Sequence, residues 1–407
     1  MKVALTSCGL IYRWHKVAGS DEWRCALRGR ILCLNQDSSH LHYRSYDRDS
    51  PTLTAPAAEH KEDNNDPALS LVKHYFNLDV NLTDLYAQWS SLDPNFKQKA
   101  PRFSGVRILQ QDPWEALVCF ICSSNNNINR ITKMVENLCV NYGPLIGVVD
   151  GRAYHDFPSP ETLTGSGVEA HLRDLGFGYR AKYVHRTALI IARERERGWL
   201  DSLRNPQRSH LPSAQGMNIE GRDGYREAHK QLLELQGVGA KVADCICLMG
   251  LGWGEAVPVD THMWQIAQRD YGFFKPSYSK GQNKTLLPAT YIEVGNLFRK
   301  MWGQEAGWAH SVLFAADLDL KPSNDKVRQG EKKEVQKPTT VTENVYDEKI
   351  PLVSTKMKRR RRASADLLKV KERDETKEKK KIKNHASLEN KCVVMPLRRV
   401  SARLRGV

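Results

Sequence analysis

No apolar run in this 407-residue chain approaches the roughly 20 residues that a membrane-crossing helix needs. The opening residues, Met1-Lys-Val-Ala-Leu-Thr6, are too short an apolar stretch for a secretory signal. Cysteine is present, but not in a metal-binding pattern. The nine Cys are scattered, and the pair Cys119-Phe-Ile-Cys122 has no second pair and no His at zinc spacing. Reduced, mostly buried thiols of an intracellular protein are expected. Aromatics are missing from one end. All nine Trp lie at or before Trp308, and the last 87 residues hold one aromatic, Tyr346. A segment so poor in large apolar groups cannot offset its ordering entropy, so residues 321–407 are expected to be disordered.

Positive charge is abundant, with 62 Lys+Arg against 47 Asp+Glu, a net +15. Such a balance predicts an anionic partner: nucleic acid, an acidic membrane surface or an acidic protein. Its distribution is uneven. Residues 321–407 hold 26 basic and 12 acidic side chains, leaving 36 against 35 for residues 1–320. The headline charge therefore belongs to the tail, and the body is nearly neutral.

Three regions are expected. Residues 1–106 read as an α/β lobe with an antiparallel sheet, in which Ala26-Leu27 and Ile31-Leu32-Cys33-Leu34 are strand candidates. The polar stretch from Gln36 to Asp66 reads as a long loop. Residues 107–320 read as an all-α body, with no convincing strand alternation. Asp112-Pro113-Trp114-Glu115 offers an N-cap, a Pro in the first turn and a capping-box Glu. A second helix is expected from Ile128 to Asn141, with Ile128, Ile131, Val135 and Leu138 inward and Gly143 at its end. Further helices are expected near 160–175, 179–197 and 223–235. The fold class is thus α+β, followed by a basic tail.

Leu232-Leu-Glu-Leu-Gln-Gly237-Val238-Gly239-Ala240-Lys241 joins two helical patterns. Ala228, Leu232 and Leu235 form one apolar face, and Val242, Ala243, Ile246 and Met249 the next. Gly237 and Gly239 make a tight hairpin that leaves amides free at the start of the second helix, where the dipole favours an anion such as a DNA phosphate. The alternative is a packing turn between core helices. A dinucleotide fold is disfavoured, because Val242 replaces the third glycine and a helix comes before the motif.

Downstream, Asp260 in Val257-Pro-Val-Asp260-Thr-His262 precedes another helical pattern and is an N-cap candidate. It is also a candidate partner for Lys241. An amine at a positive helix end among apolar neighbours tends toward its neutral form, which can attack an electrophilic carbon and form a Schiff base. Taken alone, a lysine at a helix start is more often simply solvated.

These residues and several other motifs together resemble the helix-hairpin-helix-GPD superfamily of DNA base-excision glycosylases, and more narrowly the eukaryotic 8-oxoguanine DNA glycosylase/AP lyase family. The motifs are Gly9-Leu-Ile-Tyr-Arg13-Trp14, Ser123-Ser-Asn125-Asn-Asn127-Ile-Asn-Arg130, Gly176-Phe-Gly-Tyr179-Arg180, the hairpin, Pro258-Val-Asp260-Thr-His262-Met-Trp264, and Gly307-Trp-Ala-His310-Ser-Val-Leu-Phe314. They span nearly all of residues 1–320. The resemblance implies that the enzyme flips a damaged guanine from the duplex, that Lys241 displaces the base from C1′ as a Schiff base, and that β-elimination nicks the strand. It implies that Asp260 stabilises the developing positive charge. Cys245 and Phe314 would sandwich the flipped base, and Gly9 would offer its carbonyl to the N7 hydrogen. Asn125 and Tyr179 would fill or wedge the gap, Arg130 and Arg180 would read the orphaned cytosine, and His262 would contact a phosphate. Without the family, Cys245, Phe314 and Tyr179 read as packing residues, Asn125 as a turn residue, and Arg130 and Arg180 as solvated surface.

There are departures from the pattern. An amide is common where His310 stands in the base pocket, and the family usually has more chain ahead of the Gly9 motif. No Cys lies between Cys247 and Cys392, so the iron–sulfur cluster of related branches is not expected. No cofactor is expected, with room for a structural cation at the hairpin. The implied partner of a monomeric chain is double-stranded DNA containing 8-oxoguanine:cytosine, with no membrane. Lys356-Met-Lys358-Arg359-Arg360-Arg361-Arg362 reads as a nuclear localisation signal for an import receptor, or as a general DNA-affinity arm. The nucleus is the expected site, with the mitochondrion as a second. A non-catalytic helix-hairpin-helix binder is disfavoured, since it needs neither Lys241 nor Asp260. A glycosylase of alkylated bases would not need Lys241.

Overall fold

The computed structural model describes residues 12–37, 40–47, 66–206, 217–273 and 286–320. Gly9, the tail from residue 321 and the basic run Lys356–Arg362 lie outside the described residues.

The N-terminal lobe is a four-stranded antiparallel sheet, ordered β1 (His15–Lys16), β2 (Trp23–Leu27), β3 (Arg30–Gln36) and β4 (Leu41–Asp47). Arg28 and Gly29, both at positive φ (50° and 79°), make the two-residue turn that joins β2 to β3. The stretch expected to be one long loop in fact opens with β4. It pairs with β3 from Arg30↔Asp47 to Gln36↔Leu41. Polar side chains hid it, because only Tyr46 of this strand is buried.

β2 and β3 read as continuous apolar runs because both sheet faces are covered. Cys25, Leu27, Leu32 and Leu34 pack on α1 (Pro67–Tyr75) through Leu71, Val72 and neighbouring Phe76. Ala26, Ile31, Cys33 and Tyr46 pack on Ile146, Val149 and Tyr154. Those three belong to a hairpin inside the helical body, β5 (Leu145–Val149) and β6 (Arg152–His155). Among the described residues the body is therefore helical with one β-hairpin, a correction to the all-α expectation. Its signal was Asp150-Gly151 between short apolar runs, and both residues have positive φ.

Two further helices, α2 (Leu82–Leu92) and α3 (Pro94–Lys99), precede the body but share its core through Trp89 and Phe96. Next comes α4 (Pro113–Ser123), whose N-cap Asp112 accepts hydrogen bonds from the Trp114 and Glu115 amides. Such a cap contributes ~1 kcal/mol. The expected capping box does not form. The Glu115 side chain instead meets Arg13 at 2.6 Å, both of them buried, and Arg13 also donates to the Ala26 carbonyl at 2.6 Å. This buried pair ties the lobe to the body.

The second helix, α5 (Ile128–Tyr142), ends at Gly143 as expected, but Ile128 is 47% exposed rather than inward. α6 (Val168–Asp174), α7 (Arg180–Leu189), α8 (Trp199–Ser202), α9 (Asp223–Leu232), α10 (Ala240–Met249), α11 (Thr261–Asp270), α12 (Pro288–Trp302) and α13 (Ala306–Leu320) complete the body. α10 lies at its centre, packed on α4 and α9. All residues from Val242 to Met249 are buried, so the residue at its exposed start is held by a rigid element.

Candidate active site

The turn between α9 and α10 uses its two glycines differently. Gly237 has φ +86°, and a Cβ there would lie 2.6 Å from the Tyr183 ring. Gly239 is the N-cap of α10 with φ −100°, and a Cβ there would meet open space. The first internal hydrogen bond of α10 runs from the Ala243 amide to the Gly239 carbonyl. The amides before Ala243 precede that ladder, and they start a helix whose dipole favours an anion.

Lys241 stands one residue into α10, half-buried, with Nζ 5.5 Å from the centroid of the buried Phe120 ring. One helical turn on, Cys245 is 2% exposed and lies close enough to feel the charge of that amine. Burial pushes the Cys245 thiol up to about 11 against the pull of Lys241, so it stays protonated at neutral pH. A protonated thiol is a poor nucleophile and a polarisable wall.

Asp260 caps α11, its Oδ1 accepting from the Met263 amide at 2.9 Å. Among the described residues, no ion pair joins Asp260 to Lys241. Both act electrostatically on Cys245 and on His310. His310, on α13, is 6% exposed. The carbonyls of Pro258 and Gly307 bear on its ring, but among the described residues neither ring nitrogen has a partner in good hydrogen-bond geometry. Burial, with Lys241 as a smaller like-charge contribution, outweighs the opposing effect of Asp260 and holds the imidazole down to about 4. Phe314 lies one turn further along α13, its ring within 18° of parallel to His310 at 6.4 Å. His262 meets Phe314 edge-on at 5.9 Å, and its Nδ1 is 3.9 Å from Asp317.

The second constellation lies at the turn between α4 and α5. Asn125 is exposed there at φ +47°, a left-handed conformation uncommon outside glycine that Asn tolerates. Arg180, at the start of α7, is 2% exposed and donates to the carbonyls of Ser124 and Asn125. It is a buried brace for that turn, not solvated surface. Tyr179 is 48% exposed, lies 4.5 Å from the Arg180 guanidinium, and contacts Tyr183 edge-on. Tyr183 is the ring that Gly237 abuts. A contact chain therefore runs from the Asn125 turn to the hairpin. Arg130 is exposed and donates to the Gly176 carbonyl at 3.2 Å.

Residues 1–117 match the 8-oxoguanine DNA glycosylase N-terminal domain, and residues 118–287 match the HhH-GPD superfamily of base excision DNA repair proteins. An N-glycosylase/DNA lyase of Saccharomyces cerevisiae is 42% identical over 270 residues, which cover 63% of this chain and 68% of that one. The chain belongs to the 8-oxoguanine DNA glycosylase family. An N-glycosylase/DNA lyase of Arabidopsis thaliana is 38% identical over 246 residues, 60% of each chain. The fold is shared with the Clostridium acetobutylicum 8-oxoguanine glycosylase/lyase, solved with double-stranded DNA containing cytosine opposite 8-oxoguanine. There the TM-score is 0.60 at 23% identity, covering 78% of this chain and 92% of that one.

In this glycosylase-family chain, Lys241, Cys245, Asp260 and His310 share one electrostatic neighbourhood, and His262 and Phe314 join it through ring contacts. Asn125, Tyr179 and Arg180 form the separate constellation, while Arg130 touches the Gly176 turn. Sequence reading missed Phe120 beneath the lysine, Tyr183 behind Gly237, and Asp317 beside His262. Asp317 had a signal, three residues after Phe314 on the same helix. Phe120 had none, because every residue from Pro113 to Cys122 is buried and the apolar run has no distinguishing period.

Proposed function

We propose that the chain is a bifunctional DNA glycosylase/AP lyase that flips out and excises 8-oxoguanine opposite cytosine, then nicks the strand. The observation that carries this reading is the Lys241 amine at the start of α10, beside a thiol that burial keeps protonated and in the same electrostatic neighbourhood as Asp260. Lys241 Nζ attacks C1′ of the flipped nucleotide, the C1′–N9 bond breaks, and the base departs with its electron pair. Asp260 stabilises the positive charge that develops at the sugar. The amine and sugar are then joined as an aminal, which opens as the C1′–O4′ bond breaks, O4′ taking up a proton as the nitrogen gives one up, to leave the imine. Loss of a C2′ proton from that imine breaks the C3′–O bond, the 3′ phosphate leaves, and water hydrolyses the imine to release the lysine. These steps use the chain's own groups and need no cofactor. A structural cation fits this reading only at the hairpin backbone.

In the same reading, Cys245 and Phe314 hold the base between them, with His310 and the Gly9 carbonyl at its edges. Asn125 and Tyr179 occupy the vacated stack, Arg130 faces the orphaned cytosine and is joined there by Arg180 once its donors leave the Asn125 turn, and His262 and the amides after Gly237 and Gly239 take phosphates. The chain acts as a monomer. The basic run Lys356–Arg362 carries it to the nucleus by way of an import receptor, and a mitochondrial share is part of the proposal. A chain ending near residue 330 is expected to keep excision and lose nuclear accumulation.

Excision measured across duplexes carrying 8-oxoguanine, thymine glycol or alkylated purines tests the substrate assignment. Preference for 8-oxoguanine opposite cytosine is expected. Excision of alkylated purines alone would overturn it.

A further inference from the structure

A group of polar residues beneath the site has no part in the chemistry above. Asp244 lies on α10, three residues after Lys241 and next to Cys245, and is 1% exposed. Its Oδ1 accepts a 2.6 Å hydrogen bond from the Tyr225 hydroxyl of α9, and His229 Nε2 lies 3.6 Å away. Its Oδ2 accepts from the Tyr291 hydroxyl of α12. The Tyr291 oxygen in turn accepts from the Val259 amide at 3.4 Å. Val259 is 2% exposed and immediately precedes Asp260. One hydroxyl thus joins the helix that carries the lysine to the segment that carries the aspartate.

We infer that Tyr291 is a positioning residue, which ties the Val259–Asp260 backbone to Asp244 and so fixes Asp260 relative to Lys241. The observations favour a tie over general packing in three ways. The carboxylate is buried in the apolar core, so it demands donors and holds them. The second phenol, from Tyr225, satisfies the same carboxylate but, among the described residues, makes no hydrogen bond to the aspartate segment. Finally, no ion pair holds Lys241 and Asp260 to each other among the described residues, so their relative placement depends on backbone supports. Among the described residues Asp260 has three: its side-chain cap on the Met263 amide, the Trp264 amide on its own carbonyl, and the Val259 amide on Tyr291, of which only the last reaches back to the helix that carries Lys241.

The inference rests on the glycosylase/lyase reading and is tested on the full-length chain with an 8-oxoguanine:cytosine duplex. Tyr291→Phe removes the shared hydroxyl. It is expected to slow single-turnover excision and borohydride trapping together by about tenfold, a typical cost of a sub-ångström misplacement of a reacting group, with the duplex Kd unchanged. Tyr225→Phe removes the other phenol and is expected to keep excision within about twofold. In an Asp260→Asn background, Tyr291→Phe is expected to produce no further loss of the residual rate, because the group it positions is already gone. Wild-type excision by Tyr291→Phe would overturn the tie, as would equal slowing by Tyr225→Phe or an undiminished effect in the Asp260→Asn background. If Tyr291→Phe fails to fold, hydrogen exchange at the Val259 amide of the wild-type chain decides. Protection like that of core helix amides supports the tie, and exchange like that of an unbonded amide refutes it. A wild-type chain that excises nothing would refute the functional reading instead.

Discussion

His310→Gln gives a prediction whose size follows from the pocket. The imidazole is buried and is held down to about 4, chiefly by desolvation. In the unfolded chain it titrates near its ordinary value of about 6.5. Above that value both states are neutral and the group adds no pH dependence. Between about 6.5 and 4 the unfolded chain binds more protons, so folding stability falls as pH falls through that window. At pH 5 the unfolded imidazole is almost fully charged and the folded one is mostly neutral. The resulting loss relative to pH 7.5 is about 2 kcal/mol from this residue alone. Glutamine does not titrate, so His310→Gln should lack that component. The assay is urea unfolding of both proteins at pH 7.5 and pH 5. The wild type is expected to lose about 2 kcal/mol more than the variant between the two conditions. Parallel losses would refute the claim that the pocket holds a buried neutral imidazole.

The two hairpin glycines should separate stability from binding. Gly237→Ala forces a side chain into positive φ and against the Tyr183 ring, and is expected to cost about 2 kcal/mol or more in urea unfolding. Gly239→Ala meets open space at an ordinary φ; it should change stability by less than about 1 kcal/mol yet weaken duplex binding at the hairpin amides. Arg13→Met leaves buried Glu115 without its 2.6 Å partner, and a loss of about 3–5 kcal/mol is expected by the same assay. A double Arg13→Met/Glu115→Leu variant should recover much of that loss.

Much of this fold was legible, because helix starts carry side-chain signals that act locally. Asp112-Pro113 and Asp260 both cap helices where the pattern placed them. What was not legible depended on partners distant in sequence. Glu115 has capping-box spacing, but Arg13, 102 residues away, takes its carboxylate. β4 looked like loop because its value lies in pairing with β3 rather than in buried side chains. The β5–β6 hairpin exists to cover one face of the N-terminal sheet, so its apolar residues make sense only with that sheet in place. At the site, the sequence singles out candidate residues but not their environments. Without the family Arg180 reads as solvated surface, yet its donors brace the Asn125 turn, a contact 55 residues away in sequence. His310 was visible as a departure from the family amide, but its burial is a property of α13 packed in place.

Lys241 is the nucleophile of the proposed reaction. The most direct measurement is borohydride reduction of the chain with an 8-oxoguanine:cytosine duplex, followed by peptide mapping of the covalent adduct. One adduct is expected, carried by Lys241 and absent from Lys241→Gln. Excision without any trapped adduct, or an adduct mapped to another residue with Lys241→Gln still trapped, would contradict it.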